Sequence, residues 1–208
     1  MKKLFCILFA LSFLMLASCE KPNRKAEFVR GTVSNNVYES GVADLKFAPG
    51  PAWEFWGDDD IAQLNGIDPA SVSDEKELAD ALNKVVTVYD MTAEDAHAGV
   101  SVAVIYENMT LSMGGKDITG DEYIKKLKDE IASKYETYNV SVSDGNGAVL
   151  GGLECRCVVA SLEIESAKVV QNYYIAEAGD FYVSVTVTAG ENTDIENDIL
   201  PLFSSENG

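Results

Sequence analysis

Histidine, cysteine and long apolar stretches are scarce in this chain of 208 residues, and each shortage excludes a class of function. The only histidine is His97, which lies in the polar stretch AEDAHAGV, so we expect it in a surface turn. Without another histidine as base, and without a Gly-x-Ser-x-Gly motif, the sequence has no recognisable nucleophile–base pair for hydrolysis. Neither an EF-hand loop nor a complete phosphate-binding loop occurs. We therefore predict no catalytic residue, no metal site and no cofactor.

Four cysteines occur, and only Cys155 and Cys157 belong to the part of the chain that has a globular pattern. On a strand, residues i and i+2 share a face and lie roughly 6 to 7 Å apart. Bridged cysteines need Cα atoms about 4.4 to 6.8 Å apart and converging Cβ vectors, which a single strand does not favour. We predict two buried thiols, with a disulfide as the alternative.

Basic residues are few as well: 16 Lys and Arg stand against 34 Asp and Glu, which gives a formal charge of −18. This balance argues against nucleic acid and against broad docking on anionic lipid, because both of these ligands are negative. The acidic residues are interspersed with apolar residues, which is typical of a soluble, self-repelling surface and not of disorder. We expect no nucleic-acid partner.

The apolar run at the amino terminus, Leu4–Leu16, is shorter than the roughly 20 residues that a transmembrane helix requires. It follows Lys2 and Lys3, and this order is typical of a secretory signal. The letters LASC that end the run at Cys19 resemble the bacterial lipobox, in which the cysteine is alkylated with diacylglycerol and becomes the first residue after cleavage. An ordinary signal peptide followed by a chance cysteine is the alternative.

We therefore predict a lipoprotein signal peptide over residues 1–18 and a lipid anchor at Cys19. Stable anchoring needs more than one acyl chain, and a diacylglycerol meets this requirement. Residues 19–27 would hold the lipidated cysteine and a short polar tether that keeps the body close to the membrane. The predicted location is the extracytoplasmic side of a bacterial cell envelope, with the membrane as the first partner.

The remaining pattern predicts one globular domain over residues 28–208. Strands are predicted near residues 29–33, 37–39, 45–47, 85–91, 100–107, 138–143, 153–164, 168–176 and 181–188. Helices are predicted from Asp58 to about Asn65, Ser73 to about Lys84, Thr119 to about Tyr135, and Thr193 to at least Leu200. Asp58 is expected to be the N-cap of the first of these helices. Short turns between the late strands require antiparallel pairing. We therefore predict an α+β fold, an antiparallel β-sheet with helices packed on it.

Three local patterns carry specific expectations. Capping-box signatures occur at residues 119–122 and 193–196. Asp-Gly-Asn-Gly at residues 144–147 indicates the turn between two strands. Within residues 153–164 the apolar positions shift from odd to even numbers, which predicts a bulge or a break near residues 159–161.

Five stretches follow one another in a recognisable order: LKFAPGPAWEF, SVAVIYENM, DEYIKKLKDEIASKY, GGLECRCVV and NYYIAEAGDFYVSVTVT. They read as a strand entering a Pro–Gly turn and a tryptophan, a strand ending in Glu-Asn, an amphipathic helix, a Gly-Gly-Leu strand and a terminal hairpin. Over roughly Leu45 to Phe203, the chain thus resembles the PsbP-like superfamily and the DcrB-like bacterial lipoproteins assigned near it. The resemblance implies an α/β/α sandwich. It implies no shared activity, because members act as scaffolding or accessory proteins.

The candidate contact site for a ligand or partner is the aromatic and acidic segment that follows the Pro–Gly turn. If Trp53 and Phe55 share one face of a strand, Trp56 lies on the other face, beside the aspartates. The candidate residues are Trp53, Trp56, Asp58, Asp59 and Asp60. The alternative is that both tryptophans cover the sheet edge and that the aspartates are there because a helix dipole favours acids at its start.

Together these observations favour a lipid-anchored envelope protein of a non-catalytic binding or accessory type, with a protein partner in addition to the membrane. Two alternatives stay open. One is an enzyme whose carboxylate or metal site is assembled only in the fold, and the other is a small solute-binding component of a transporter. A buried, polar-lined pocket would favour the alternatives, whereas a flat surface with an exposed aromatic patch would favour the first reading.

Overall fold

The computed structural model describes residues 27–109, 118–164 and 167–205. The predicted signal peptide of residues 1–18, Cys19 and the tether up to residue 26 lie outside the described residues, so lipid anchoring stays a prediction. None of the helices in the described ranges is long and apolar enough to cross a membrane.

The described residues form two antiparallel β-sheets and several helices, which confirms the α+β class. The strands are β1 Thr32–Ser34, β2 Val37–Glu39, β3 Lys46–Phe47, β4 Glu54–Phe55, β5 Thr87–Asp95, β6 Val100–Asn108, β7 Ser141–Leu150, β8 Leu153–Ile164, β9 Ala167–Ala178, β10 Phe181–Gly190 and β11 Phe203–Ser204. The larger sheet has the order β4-β5-β6-β10-β9-β8-β7, and the smaller one has the order β1-β2-β3-β11.

The helices are α1 Asp58–Leu64, α2 Glu75–Leu82 and α3 Gly120–Lys134, with 3₁₀ turns at Pro69–Ser71, Glu136–Tyr138 and Leu200–Leu202 and a π-helical turn at Ile195–Ile199. The central strands β6 and β10 of the larger sheet are buried on both faces. The face that carries Val183 and Val185 shares a core with the small sheet, including Phe47, and with Leu78 of α2. The opposite face packs against α3. β6 is buried at every position, as expected for a strand covered on both sides.

Helix α3 forms where the sequence predicts it. The Thr119 hydroxyl accepts a hydrogen bond from the Glu122 N–H at 3.3 Å, and the Glu122 carboxylate accepts one from the Thr119 N–H at 2.9 Å. This reciprocal pair confirms the predicted capping box. Tyr123, Leu127 and Ile131 form the buried stripe that holds the helix on the sheet.

The predicted turn at residues 144–147 is wrong, because β7 runs through this segment and forms a bulge there. The strand reverses instead at Gly151–Gly152. A Cβ at Gly145 would lie 2.6 Å from Cγ2 of Val159 and 2.8 Å from Sγ of Cys157. The glycine-rich motif therefore marks close packing of β7 on β8 and not a chain reversal.

The bulge or break predicted near residues 159–161 is also wrong, because β8 is one strand that keeps a continuous register with β9 from Arg156 to Ile164. The shift in apolar positions has another cause. Cys157 faces the core that the small sheet shares, whereas Leu162 faces α3. The two halves of β8 bury opposite faces because different elements cover them, and this requires no extra residue.

Two helix starts differ from their predictions. Gly57 is the N-cap of α1 and no side chain caps this end, so Asp58 is the first helical residue and not the cap. Near the carboxyl terminus, Asp194 caps a single π-helical turn by accepting a hydrogen bond from the Asn197 N–H at 3.1 Å. The capping box predicted at residues 193–196 does not form, because the neighbouring aspartate provides a strong N-cap acceptor one position later.

Candidate functional site

A cleft of about 620 Å³ opens at the β4 edge of the larger sheet. It contains two of the five predicted site residues, Trp56 and Asp60. We name it the acidic–aromatic cleft, after the residues that line it: Glu54, Phe55, Trp56, Asp60, Gln63, Leu64 and Glu94. This lining combines carboxylates and an amide with an aromatic and aliphatic wall.

A short strand that leads directly into a helix builds the acidic–aromatic cleft. β4 pairs with β5 in a register that places Glu54 directly opposite Glu94. The Trp56 N–H then donates a hydrogen bond to the Thr92 carbonyl oxygen at 2.9 Å, which fixes the backbone just before α1. Asp60 follows in the first turn of α1, where the helix dipole favours an acid. Three carboxylates from β4, β5 and α1 therefore border one space.

The other three predicted site residues lie outside this lining. Trp53 is buried in the core, and its ring packs edge-on against Phe47 with 5.3 Å between centroids. Asp58 forms an ion pair with Arg30 at 2.6 Å. Asp59 is exposed at the start of α1. The structure thus separates Trp53 from Trp56, as the strand alternation predicts.

The chemistry of the acidic–aromatic cleft suits a cationic group. Like charges directly opposite each other on neighbouring strands are destabilising, and an ammonium or guanidinium group bound between Glu54 and Glu94 would offset that repulsion. A cation near the face of an indole is attracted by the ring quadrupole, and Trp56 is the indole among the residues that line the cleft. Within the described ranges, no cluster of histidine, cysteine, aspartate and glutamate side chains is arranged to hold a metal ion.

Sequence reasoning missed the buried carboxyl group of Asp90 in β5. Asp90 is 4% exposed and accepts hydrogen bonds from the Tyr38 hydroxyl at 2.6 Å and from the Gly31 N–H at 3.0 and 3.1 Å. The register of β5 against β6 shifts between Tyr89 and Met91, so Asp90 lies at a β-bulge. The available signal was an acid inside the apolar stretch TVYDMT, which strand periodicity alone does not interpret.

Burial raises the pKa of Asp90 to about 6, while the Tyr38 hydroxyl, the Gly31 amide and the Arg30 charge act to lower it. A pKa raised in this way is a recognised mark of functional carboxyl groups. Here, however, both carboxylate oxygens accept hydrogen bonds and the residue is closed off from solvent. We interpret Asp90 as a group that fastens one segment of the chain to another.

The histidine and the two thiols do not assemble an active site in the described part of the chain. His97 is exposed in a turn, where its backbone N–H donates to the Asp95 carboxylate at 2.9 Å. Cys155 and Cys157 are free and buried, which confirms the predicted thiols. Burial raises the pKa of Cys155 to about 11 and that of Cys157 to about 12. Thiols of this kind hold almost no nucleophilic thiolate at neutral pH.

A smaller cleft of about 320 Å³ lies where α3 begins. Arg156 on its rim forms an ion pair with Asp121 at 2.7 Å, and the Tyr182 hydroxyl donates to the Glu177 carboxylate at 2.8 Å. The Tyr182 ring is stacked on Tyr123 with 4.0 Å between centroids. The polar groups of this smaller cleft are engaged with one another, and its volume is about half that of the acidic–aromatic cleft. We therefore take the acidic–aromatic cleft as the candidate site.

No protein-family model matches the chain, and no curated protein matches it either. Among solved structures, the chain is similar to the crystal structure of LpqN, which is described as involved in cell envelope biogenesis of Mycobacterium tuberculosis. The TM-score is 0.39 and the sequence identity is 11%, over 77% of this chain and 82% of the LpqN chain. A likeness of this size carries no functional argument, and these comparisons do not confirm the PsbP-like resemblance.

Proposed function

We propose that the protein is a lipid-anchored accessory protein of a bacterial envelope, and that it binds a cationic segment of a partner protein in the acidic–aromatic cleft. The observation that carries the proposal is the meeting of Trp56 with three carboxylates in one surface cleft. The formal charge of −18 supports it, because an acidic protein attracts a basic partner before contact. The predicted lipid at Cys19 supplies the location.

The proposed role is non-catalytic. The lining of the acidic–aromatic cleft contains no hydroxyl, thiol or imidazole group, so it offers no Ser–His or Cys–His pair of the kind that hydrolases use. The cleft opens at a sheet edge, whereas a solute-binding pocket of a transporter encloses most of its ligand. Both features favour contact with an extended segment of a larger partner over turnover or enclosure of a small molecule.

Site-specific photocrosslinking in the native envelope tests the binding proposal. A photoreactive amino acid at Gln63, an exposed residue on the rim of the cleft, should give a discrete adduct with a partner protein. The substitution Asp60→Asn should reduce the yield of the adduct several-fold, and so should an increase in salt, because the contact depends on charge. The matched control is Asp59→Asn, which removes a neighbouring carboxylate of the same helix that does not line the cleft.

Two outcomes would contradict the proposal. An adduct whose yield falls equally with Asp59→Asn and Asp60→Asn would place the contact outside the cleft. Absence of any adduct at Gln63, together with turnover of a substrate by the purified protein, would favour the enzyme alternative.

Mass spectrometry of the native protein tests the anchor separately. We expect a mature chain that begins at Cys19 and carries diacylglycerol on the sulfur. An unmodified thiol at Cys19, or an intact leader in cytosolic material, would contradict the anchoring but would leave the cleft experiment valid.

A further inference from the structure

The strand β4 forms one edge of the larger sheet, and both of its residues line the acidic–aromatic cleft. β4 is only two residues long, Glu54 and Phe55, and it pairs with β5 on one side. Among the described residues, no strand pairs with β4 on its other side. This outer edge is therefore a place where a further strand can be added to the sheet.

The register between β4 and β5 determines where the backbone groups of β4 point. The Trp56 N–H donates to the Thr92 carbonyl oxygen, so these two residues form a hydrogen-bonded pair of the antiparallel ladder. Such pairs alternate with pairs that exchange no hydrogen bonds. Phe55, opposite Ala93, therefore belongs to a non-bonded pair, and its N–H and carbonyl oxygen point away from β5. No backbone group in the described ranges pairs with them there.

The two faces of β4 differ in their chemistry. The Phe55 ring packs edge-on against Phe47 with 6.1 Å between centroids, on the face that shares its core with the small sheet. Glu54 and Trp56 lie on the other face, because side chains alternate along a strand, and there Glu54 is opposite Glu94. A strand added beside β4 would meet an aromatic ring on one face, and carboxylates next to an indole on the other.

We propose that the cationic segment of the partner binds by strand addition: it pairs with the outer edge of β4 as an antiparallel strand, and its side chains follow the order basic–apolar–basic. This inference rests on the proposed function and specifies how the segment binds and which sequence it carries. The apolar residue exchanges two backbone hydrogen bonds with Phe55 and places its side chain beside the Phe55 ring. The two basic residues project onto the other face, one opposite Glu54 and one opposite Trp56.

The antiparallel direction follows from the shortness of the edge. Phe55 is the one residue of β4 whose two backbone groups point outward, and in an antiparallel pair a single opposite residue exchanges both bonds with it. In a parallel pair the same two groups would bond to two different residues, and such pairing is slightly less stable per residue.

Charge selects a basic partner segment over a second copy of this chain. Two copies, each with a formal charge of −18, would repel one another, and acidic side chains on an edge strand oppose self-pairing. A basic residue opposite Glu54 would have its Cβ about 4.5 to 5.5 Å from that of Glu54, where opposite charges on neighbouring strands attract. The residue opposite Trp56 would lie near the first turn of α1, which carries Asp60.

NMR titration of the full chain in a non-ionic detergent with three synthetic peptides tests the mode of binding. The first peptide carries Lys-Val-Lys between capped serines, the second carries the same residues in the order Lys-Lys-Val, and the third is the first peptide with an N-methyl group on valine. The chain has two tryptophans, so the indole N–H signal of Trp56 reports the cleft and that of the buried Trp53 is the reference.

The first peptide should bind most tightly of the three. The N-methyl group removes one of the two bonds to Phe55 and should weaken binding about 2- to 10-fold. The changed order should weaken binding about 2- to 5-fold, because a lysine then lies beside the Phe55 ring and the valine replaces a lysine on the acidic face.

A backbone variant tests the same hydrogen bond from the side of the protein. Phe55→Pro removes the outward N–H, and proline is tolerated on an edge strand where that N–H faces solvent. Phe55→Leu is the matched control, because it removes the ring and keeps the N–H. The first peptide should bind Phe55→Pro about 2- to 10-fold more weakly than Phe55→Leu.

Four results would overturn strand addition. They are an unchanged Trp56 signal with the first peptide, equal affinities of the first and the N-methylated peptide, equal affinities of the two residue orders, and equal affinities of Phe55→Pro and Phe55→Leu for the first peptide. If Phe55→Pro does not fold, the peptide series decides alone. The Gln63 adduct tests the proposed function separately: if it keeps its dependence on Asp60 while the peptide series fails, the cleft binds its partner without strand addition.

Discussion

Replacement of Gly151 by alanine should destabilise the fold more than replacement of Gly179, although the two glycines occupy equivalent turns. Each is the first residue of a two-residue turn between neighbouring strands of the larger sheet, β7–β8 for Gly151 and β9–β10 for Gly179. Each has a positive φ, +59° at Gly151 and +62° at Gly179. An L-residue in this left-handed region costs about 1 to 2 kcal/mol. The backbone strain is therefore matched, and only the surroundings differ.

The surroundings differ because the β7–β8 turn is wedged against the small sheet. A Cβ on Gly151 would overlap the carbonyl oxygen of Asp44 and would lie 2.6 Å from that of Ser204, whereas a Cβ on Gly179 would meet nothing within 4 Å. Backbone oxygens do not rotate aside as side chains do, so overpacking adds about 1 to 3 kcal/mol at Gly151. We expect a loss of about 1 to 2 kcal/mol for Gly179→Ala and of about 2 to 5 kcal/mol for Gly151→Ala.

Urea denaturation of both variants, followed by far-UV circular dichroism, measures the difference. With a slope of about 2 kcal/mol per molar, a difference of about 2 kcal/mol separates the two midpoints by about 1 M. The Gly152 N–H donates a hydrogen bond to the Asp44 carbonyl oxygen at 2.8 Å, so we infer that this turn fastens the small sheet to the larger one. Equal losses of stability in Gly151→Ala and Gly179→Ala would refute this inference.

Three further predictions concern the thiols and the helix ends. Thiol-reactive reagents should leave Cys155 and Cys157 unmodified in the native protein at pH 8 and should label both in urea. Peptide mass mapping measures the labelling, and rapid labelling of the native protein would contradict the burial of the two thiols. Thr119→Ala should cost about 1 kcal/mol of unfolding free energy in urea titrations, because it removes the cap of α3. Asp194→Ala should cost a similar amount of unfolding free energy, and Thr193→Ala should cost almost nothing. The reverse order of losses would indicate that the capping box at residues 193–196 forms after all.

Local patterns predicted the elements whose partners lie nearby in the chain. The capping box at Thr119 and the apolar stripe that begins at Tyr123 identified α3, because both depend on residues within a few helical turns. Alternation likewise separated Trp53 from Trp56. The errors arose where a local motif had two structural readings, as in residues 144–147, where glycines serve a bulge as readily as a turn.

The amino-acid sequence by itself determined the α+β class, the main helix and most strands, and it indicated an envelope location through the residues that end at Cys19. The tertiary structure decided which residues share a site. Glu54 meets Glu94 only because β4 pairs with β5. Asp90 meets Gly31 only because the segment before β1 crosses the bulge of β5. Periodicity predicts which face of a single helix or strand is buried. The contacts of Glu54 with Glu94 and of Asp90 with Gly31 depend instead on the register between segments far apart in the chain.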